Sequence, residues 1–288
     1  MELPLVVGVD GSDESLVAVD WAADEAARRG LPLRLVHASL WERYEGAVPP
    51  EDGDPPYEQV RAENLLDIAA ARARRRAPDL KVATEVAAEE AVDALLHEGH
   101  HAFSLVTGAR DRGGLTELLL GSVSPAVAGR ARCPVIVVRG DTTGDHGRIL
   151  LGVGESARGG EAVRFAFQEA ETRGCMLDAV RAWRRSAREP MQHPLLAGNP
   201  AHQHERQASE QLDSALYEAA ADHPAVRVRR TTAEGPAPKV LLARSGGADL
   251  LVVGARRRHG HHGFQLGRVA HTLLHHADCP VAVVPEEV

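Results

Sequence analysis

The chain has 288 residues, 44% of them apolar and 26% charged, with a formal charge of -8 and an isoelectric point near 6.0. That length suits two modest domains with cores of their own, and arginines interspersed among acids exclude the one-sided basic footprint of a nucleic-acid binder. Three scattered cysteines (Cys133, Cys175, Cys279) make neither a disulfide framework nor a C-x-x-C pair, no apolar run reaches the ~18 residues of a membrane span, and MELPLVVGVDGS enters a strand without a basic leader, so a soluble cytoplasmic protein with no nucleic-acid or membrane partner is expected.

In chain order, strands are predicted at Leu5 to Val9, Leu33 to His37, Lys81 to Val86, Ser104 to Thr107 and Val135 to Val138. Helices are predicted at Ser12 to Arg29, Tyr57 to Ala77, Ala88 to Gly99 and Ser122 to Arg130. Val- and Leu-rich strands beside Ala-rich helices point to α/β architecture with a parallel sheet covered on both faces. Two stretches containing Pro and Gly, Trp41 to Tyr57 and Trp183 to His204, are predicted to be long loops after a second strand, where a lid and a tolerated surface insertion are both open readings.

The order then repeats. LPLVVGVDGSDESLVAVDWAADEAARRG (Leu3 to Gly30) matches GRILLGVGESARGGEAVRFAFQEAETRG (Gly147 to Gly174) at an offset of 144, and Leu105 to Val138 matches Leu251 to Val284 at an offset of 146. Residues 1–140 and 148–288 are therefore expected to be duplicated domains, joined by a polar linker over 141–147. Each is expected to be a doubly wound, five-stranded sheet of the Rossmann-like or flavodoxin-like kind, with its ligand crevice at the carboxyl ends of the strands where the winding reverses.

The stretch TGARDRGGLTELLLGS (Thr107 to Ser122) has the makings of an anion site: glycines that admit a close ligand, then a helix start with outward N–H groups. With VVGVDGS at the start and CPVIVV at the end, it resembles the tandem members of the universal stress protein family over essentially the full chain. The resemblance implies ATP or AMP as a regulatory ligand, with Mg2+ left open. Members that hold these nucleotides use a G-x-x-G-x9-G-[S/T] loop and an Asp after the first strand. Carried onto this chain, it implies nucleotide-binding roles for Gly8, Val9, Asp10, Val36, Thr107, Gly108, Arg110, Gly121, Ser122, Val123 and Ser124. Asp10 is expected to accept from ribose hydroxyls, Val36 to pack the adenine, and Ser122 to cap the helix that faces phosphate.

Asp111 departs from that pattern, standing where the second glycine belongs. A fixed carboxylate about 5 Å from a phosphate opposes it by roughly 3 kcal/mol at an effective dielectric near 20, which Arg110 and Arg112 offset in part. The second half retains Gly254 and Gly267 as candidate nucleotide contacts but has Gly154 for Asp10, Arg257 for the second glycine and Arg268 for Ser122. The alternative is a nucleotide-independent scaffold with degenerate pockets.

GVGESA (Gly152 to Ala157) imitates a dinucleotide fingerprint that its duplicate GVDGSD breaks. The histidine clusters HEGHH, HGHH and HTLLHH lack a completing ligand set, so no metal site is expected. No nucleophile elbow, P-loop or paired acid and base occurs, so binding without catalysis is expected. The apolar last strands PVIVV and PVAVV are expected at sheet edges, available for an intramolecular pseudo-dimer of the two halves or for a homodimer.

Overall fold

The computed structural model describes residues 2–40, 57–109, 121–140, 142, 145–154, 160–184, 200–256 and 266–286. They fall into two compact units, one ending at Arg139 and the other starting at Gly140. The first contains β1 (Leu5–Gly8), α1 (Asp13–Arg29), β2 (Leu33–Ala38), α2 (Tyr57–Arg76), β3 (Val82–Ala87), α3 (Ala91–Glu98), β4 (Ser104–Gly108), α4 (Val123–Arg130) and β5 (Val135–Val138). Its strands lie in the order β3-β2-β1-β4-β5, every pairing parallel. The second contains β6 (Arg148–Gly152), α5 (Glu161–Arg173), β7 (Met176–Trp183), α6 (Pro200–Asp222), β8 (Val228–Glu234), α7 (Ala237–Ser245), β9 (Leu250–Arg256), α8 (Arg268–His276) and β10 (Val281–Glu286). Its order, β8-β7-β6-β9-β10, is the same winding, again wholly parallel.

Two doubly wound α/β units are thus what the sequence folds into. Leu5, Val6 and Val7, successive residues of β1, are all fully buried, as they must be when helices cover both faces. One face of the first sheet carries α1 packed on α2, the other α3 packed on α4. Asp20 pairs bidentately with Arg72 (2.7 and 2.6 Å) and Asp24 with Arg76 (2.7 Å), lacing α1 to α2. Two expectations shift. The helix foreseen from Ala88 starts only at Ala91, because Glu90 keeps an extended backbone (ψ 143). The loop foreseen over Trp183 to His204 is shorter, since Trp183 still belongs to β7 and residues 200–204 already belong to α6; residues 185–199 and 41–56 lie outside the described residues.

The repeated R-G ending has a local cause. α1 and α5 each end on a glycine in the left-handed region, Gly30 (φ 69) and Gly174 (φ 62), whose N–H groups close the last turn. One turn earlier a buried glutamate, Glu25 or Glu169, takes the closing arginine, Arg29 (2.5 Å) or Arg173 (3.0 Å). Away from the helix ends the two units diverge. In the first, Arg34 on β2 pairs with Glu98 (2.9 Å) and Glu85 (3.4 Å). At the matching position of the second stands Asp178, wholly buried, which accepts from Arg229 (3.1 and 2.5 Å) and lies 3.9 Å from Arg148. The polarity of the cross-strand pair is reversed, and Asp178 holds the Arg229 guanidinium above its ordinary pKa. Asp178→Ala leaves two guanidinium groups facing a buried space without their acid. Discounting for the half-exposed Arg229, it is expected to destabilise by about 2–3 kcal/mol, read as a lower urea midpoint with unchanged slope.

Candidate functional site

The crevice forms where two strands stop pairing. β1 and β4 are in register from Leu5↔Ser104 to Val7↔Val106 and no further. Beyond that point each turns to its outer neighbour: the Val9 N–H donates to the Val36 carbonyl on β2 and the Ala109 N–H to the Val138 carbonyl on β5, both at 2.9 Å. Gly8 and Thr107 are the first residues not paired to each other, followed by Val9, Asp10 and Gly108, so these residues assigned from the resemblance line both banks of this opening.

On the β1 bank, Gly11 (φ 82) makes the turn into α1, where a Cβ would meet Leu65 at 2.8 Å. Asp10 is exposed, and its Oδ1 accepts from the Ser12 N–H (3.0 Å) and Ser12 hydroxyl (2.5 Å). Ser12 in turn caps α1 by accepting from the Ser15 N–H at 3.2 Å. With Asp13 and Glu14 in its first turn, the start of α1 is closed to an anion by the chain's own acids. The His37 ring, bonded through Nδ1 to the Val9 carbonyl at 2.7 Å, fixes the strand end.

On the β4 bank, Gly108 is glycine for want of room and not for a positive φ. A Cβ there would lie 2.5 Å from the Glu14 carbonyl oxygen and 2.9 Å from the Ser15 nitrogen, because the first turn of α1 rests on the end of β4. The Ser124 hydroxyl, buried, donates to the Gly108 carbonyl at 3.2 Å and ties the start of α4 to the strand. Thr107 is 5% exposed and its Oγ1 has no hydrogen-bond partner among the described residues. A buried hydroxyl without a partner costs about 1–3 kcal/mol, and here it stands at the first position where β4 has left β1.

The expectation that Ser122 caps α4 is corrected. Its backbone is already helical (φ -67, ψ -24), which takes the side chain out of capping geometry, and it makes no cap hydrogen bond. Ser122 therefore does not hold the first-turn amides of α4, and Pro125 removes one donor from the turn, leaving Val123 and Ser124. Val36 is 2% exposed, packed at the register of Gly8. Ala38, on the same face and half-buried at the strand end, is the β2 residue at the rim of the crevice. The space over Gly8 is taken by Leu95 of α3, 3.1 Å from where a Cβ would be. Gly121 and Val123, both partly exposed, flank Ser122 at the start of α4, while Arg110, Asp111 and Arg112 lie outside the described residues.

The second unit repeats the geometry with other chemistry. β6 and β9 pair one residue further, through Gly152↔Val253, and Val253 stands where Thr107 stands. Gly154 replaces Asp10, and its carbonyl accepts from Arg181 (2.6 Å), which occupies the place of His37 and is itself buried. Of the two retained glycines, Gly254 is crowded by the Glu286 carboxylate, 2.7 Å from a Cβ position, whereas nothing lies within 4 Å of one on Gly267. Arg257 lies outside the described residues, and Arg268 is exposed at the first turn of α8. The exchanges at 37 and 181 and at 107 and 253 are visible in the internal alignment; Glu286 has no sequence signal, since only the fold returns the end of β10 to the start of α5. Among the described residues no group of three metal-ligating side chains forms; His271 and His275 stack with centroids 4.5 Å apart. Cys133 and Cys279 are buried free thiols, and burial pushes the Cys175 thiol up.

A duplicated, doubly wound α/β fold with its opening at the winding reversal defines the class. The chain belongs to the universal stress protein family, whose model matches residues 3–139 and again 146–285. It is 33% identical over 302 residues to universal stress protein Rv2005c of Mycobacterium tuberculosis H37Rv, covering 97% of this chain and 96% of that one. It is also 33% identical over 298 residues to universal stress protein Rv2623 of the same strain, covering 99% and 97%. A solved universal stress protein from Archaeoglobus fulgidus DSM 4304 has the same fold, with a TM-score of 0.72 at 16% identity over 98% of both chains. No helix among the described residues is long and apolar enough to cross a membrane.

The glycines separate packing from binding. Gly108→Ala drives a Cβ into backbone and is expected to destabilise by about 1–3 kcal/mol with no ligand present, whereas Gly267→Ala is expected to shift stability by less than about 1 kcal/mol. Thermal denaturation of the two variants in nucleotide-free buffer checks this.

Proposed function

We propose that the first unit binds an adenine nucleotide, ATP or AMP, as a regulatory ligand in the crevice between β1 and β4, without efficient turnover, and that the second unit does not. The observation that carries this reading is the Thr107 hydroxyl, without a partner among the described residues, at the parting of the strands and on the bank across from Asp10, beside a helix start that Ser122 does not cap. A carboxylate such as Asp10 is an acceptor suited to ribose hydroxyls, and the Val123 and Ser124 amides are donors for a phosphate. The choice of adenine rests on the family. Against turnover stands the placement of lysine: the chain has two, Lys81 immediately before β3, at the far end of the sheet from the crevice, and Lys239 in α7 of the second unit. The second unit has Val253 for the hydroxyl, Gly154 for the carboxylate and the acid of Glu286 against its glycine. A cytoplasmic setting and pairing through the apolar last strands, which end the sheet in each unit taken alone, belong to the same proposal.

Calorimetric titration of the full chain with ATP and with AMP tests it. One site per chain is expected, weakened at least tenfold by Asp10→Ala. Thr107→Val is expected to act with opposite signs: it removes an unsatisfied buried hydroxyl, so the unliganded protein is as stable or more stable by about 1 kcal/mol, yet nucleotide affinity falls about five- to tenfold. The absence of heat at millimolar ligand favours the second reading, a nucleotide-independent scaffold, which draws support from the engagement of Asp10 with Ser12.

A further inference from the structure

α4 and α8 are corresponding helices of the two repeats, related by the offset of 146. Their packing faces agree position by position: Ser124, Val127 and Ala128 are buried in one, Ala270, Leu273 and Leu274 in the other. His271 and His275 lie off that face, where the first unit has Pro125 and Gly129, so the fold itself asks for neither imidazole. His271 is exposed and His275 half-buried.

One turn apart on one side of a helix, the two side chains are neighbours, and their ring centres lie 4.5 Å apart with planes inclined by 33°. Basic residues in a last turn favour the helix dipole, which accounts for His275 and His276 but neither for His271, a turn earlier, nor for the pairing of the rings. A metal ion at the roughly 2.0–2.1 Å of a metal–imidazole bond is about 3 Å from each ring centre, so two rings at adjacent positions of one ion have centres about 4–5 Å apart. His271 and His275 already stand at that spacing. The ring of His276 is 6.0 Å from that of His275 and inclined by 42°. A closed structural site takes four protein ligands, and among the described residues no group of three forms. A chelate of two needs only the pair, with water at the remaining positions. Imidazole nitrogen suits copper(II), nickel(II) and zinc(II), whereas magnesium and calcium take oxygen.

We propose that His271 and His275 form a two-point chelating site on α8 for a divalent transition-metal ion, copper(II) foremost. This inference does not rest on nucleotide binding by the first unit, and its test contains no nucleotide. Because the chain has 15 histidines, the readout is taken residue by residue: broadening of the imidazole proton resonances of the full chain as copper(II) chloride is added below one equivalent. His271 and His275 are expected to broaden together and before the other histidines, while magnesium chloride leaves both unchanged. His271→Ala is expected to weaken copper binding at His275 at least tenfold, His275→Ala to do the same at His271, and His276→Ala to change it less than twofold. Indiscriminate broadening of the histidines overturns the proposal, as does undiminished copper binding at either ring once the other is removed. If His275→Ala disturbs the fold, His271→Ala decides the matter by itself, since the corresponding helix accommodates proline at that position.

Discussion

The first unit is organised by the point at which β1 and β4 cease to bond to each other. A doubly wound sheet must send the chain outward in both directions from its central pair, so the ladder bonds beyond Val7 and Val106 go to β2 and β5. That redirection leaves Gly8 and Thr107 paired to β2 and β5 but not to each other, brings the starts of two helices to one opening, and makes the helices unequal. α1 lies so close to β4 that only glycine fits at 108, and its amides are taken by Ser12 and flanked by acids. α4 is stitched to the same strand by Ser124, and Ser122 does not cap it. An anion approaching the opening meets acids at one helix start and amides that Ser122 leaves alone at the other.

The duplication supplies an internal comparison. What both units keep is local: the left-handed glycine that ends the helix after the first strand and the buried glutamate that takes the closing arginine, features any such helix needs to stop and turn. What they do not share lies where partners come from distant segments. Arg34 with Glu98 becomes Asp178 with Arg229, His37 becomes Arg181, and the space before the strand-end glycine, met by the first turn of α1 at Gly108, is met by the side chain of Glu286 at Gly254. Each replacement preserves a filled space or a satisfied carbonyl while changing the charge presented, so the fold tolerates exchanges that alter the chemistry of the opening.

This division also sets what could be read from residues alone. Strands of unbroken Val and Leu, a Ser cap before Asp and Glu, and R-G endings are short-range signals, and the elements they mark form within a few residues of expectation. Gly108 was legible as a position requiring glycine but for the wrong cause, because the close approach of Glu14 depends on how α1 packs across the sheet. Ser122 has the residue type of a cap but not its backbone, and nothing in the sequence reports that its φ and ψ are already helical. Leu95 over Gly8 and Glu286 against Gly254 each join segments more than 30 residues apart in chain order, which periodicity does not connect.

Thr107 draws these strands together. Its counterpart Val253 is 3% exposed in the same sheet position of the second unit, so packing there has no need of a hydroxyl. A valine in place of Thr107 would fill the same volume without an unsatisfied donor. The hydroxyl, without a partner among the described residues, therefore works against the stability of the unliganded unit, as does that of Ser104 on the same strand, by about 1–3 kcal/mol, and a partner for Oγ1 recovers the cost. The second unit, with valine at this place and its β6 and β9 ladder running one pair further, has no such strain to relieve. The difference between the two halves is thus energetic before it is functional: one is a sheet with its central ladder complete, the other a sheet that stops one pair short and leaves a polar group waiting at the gap.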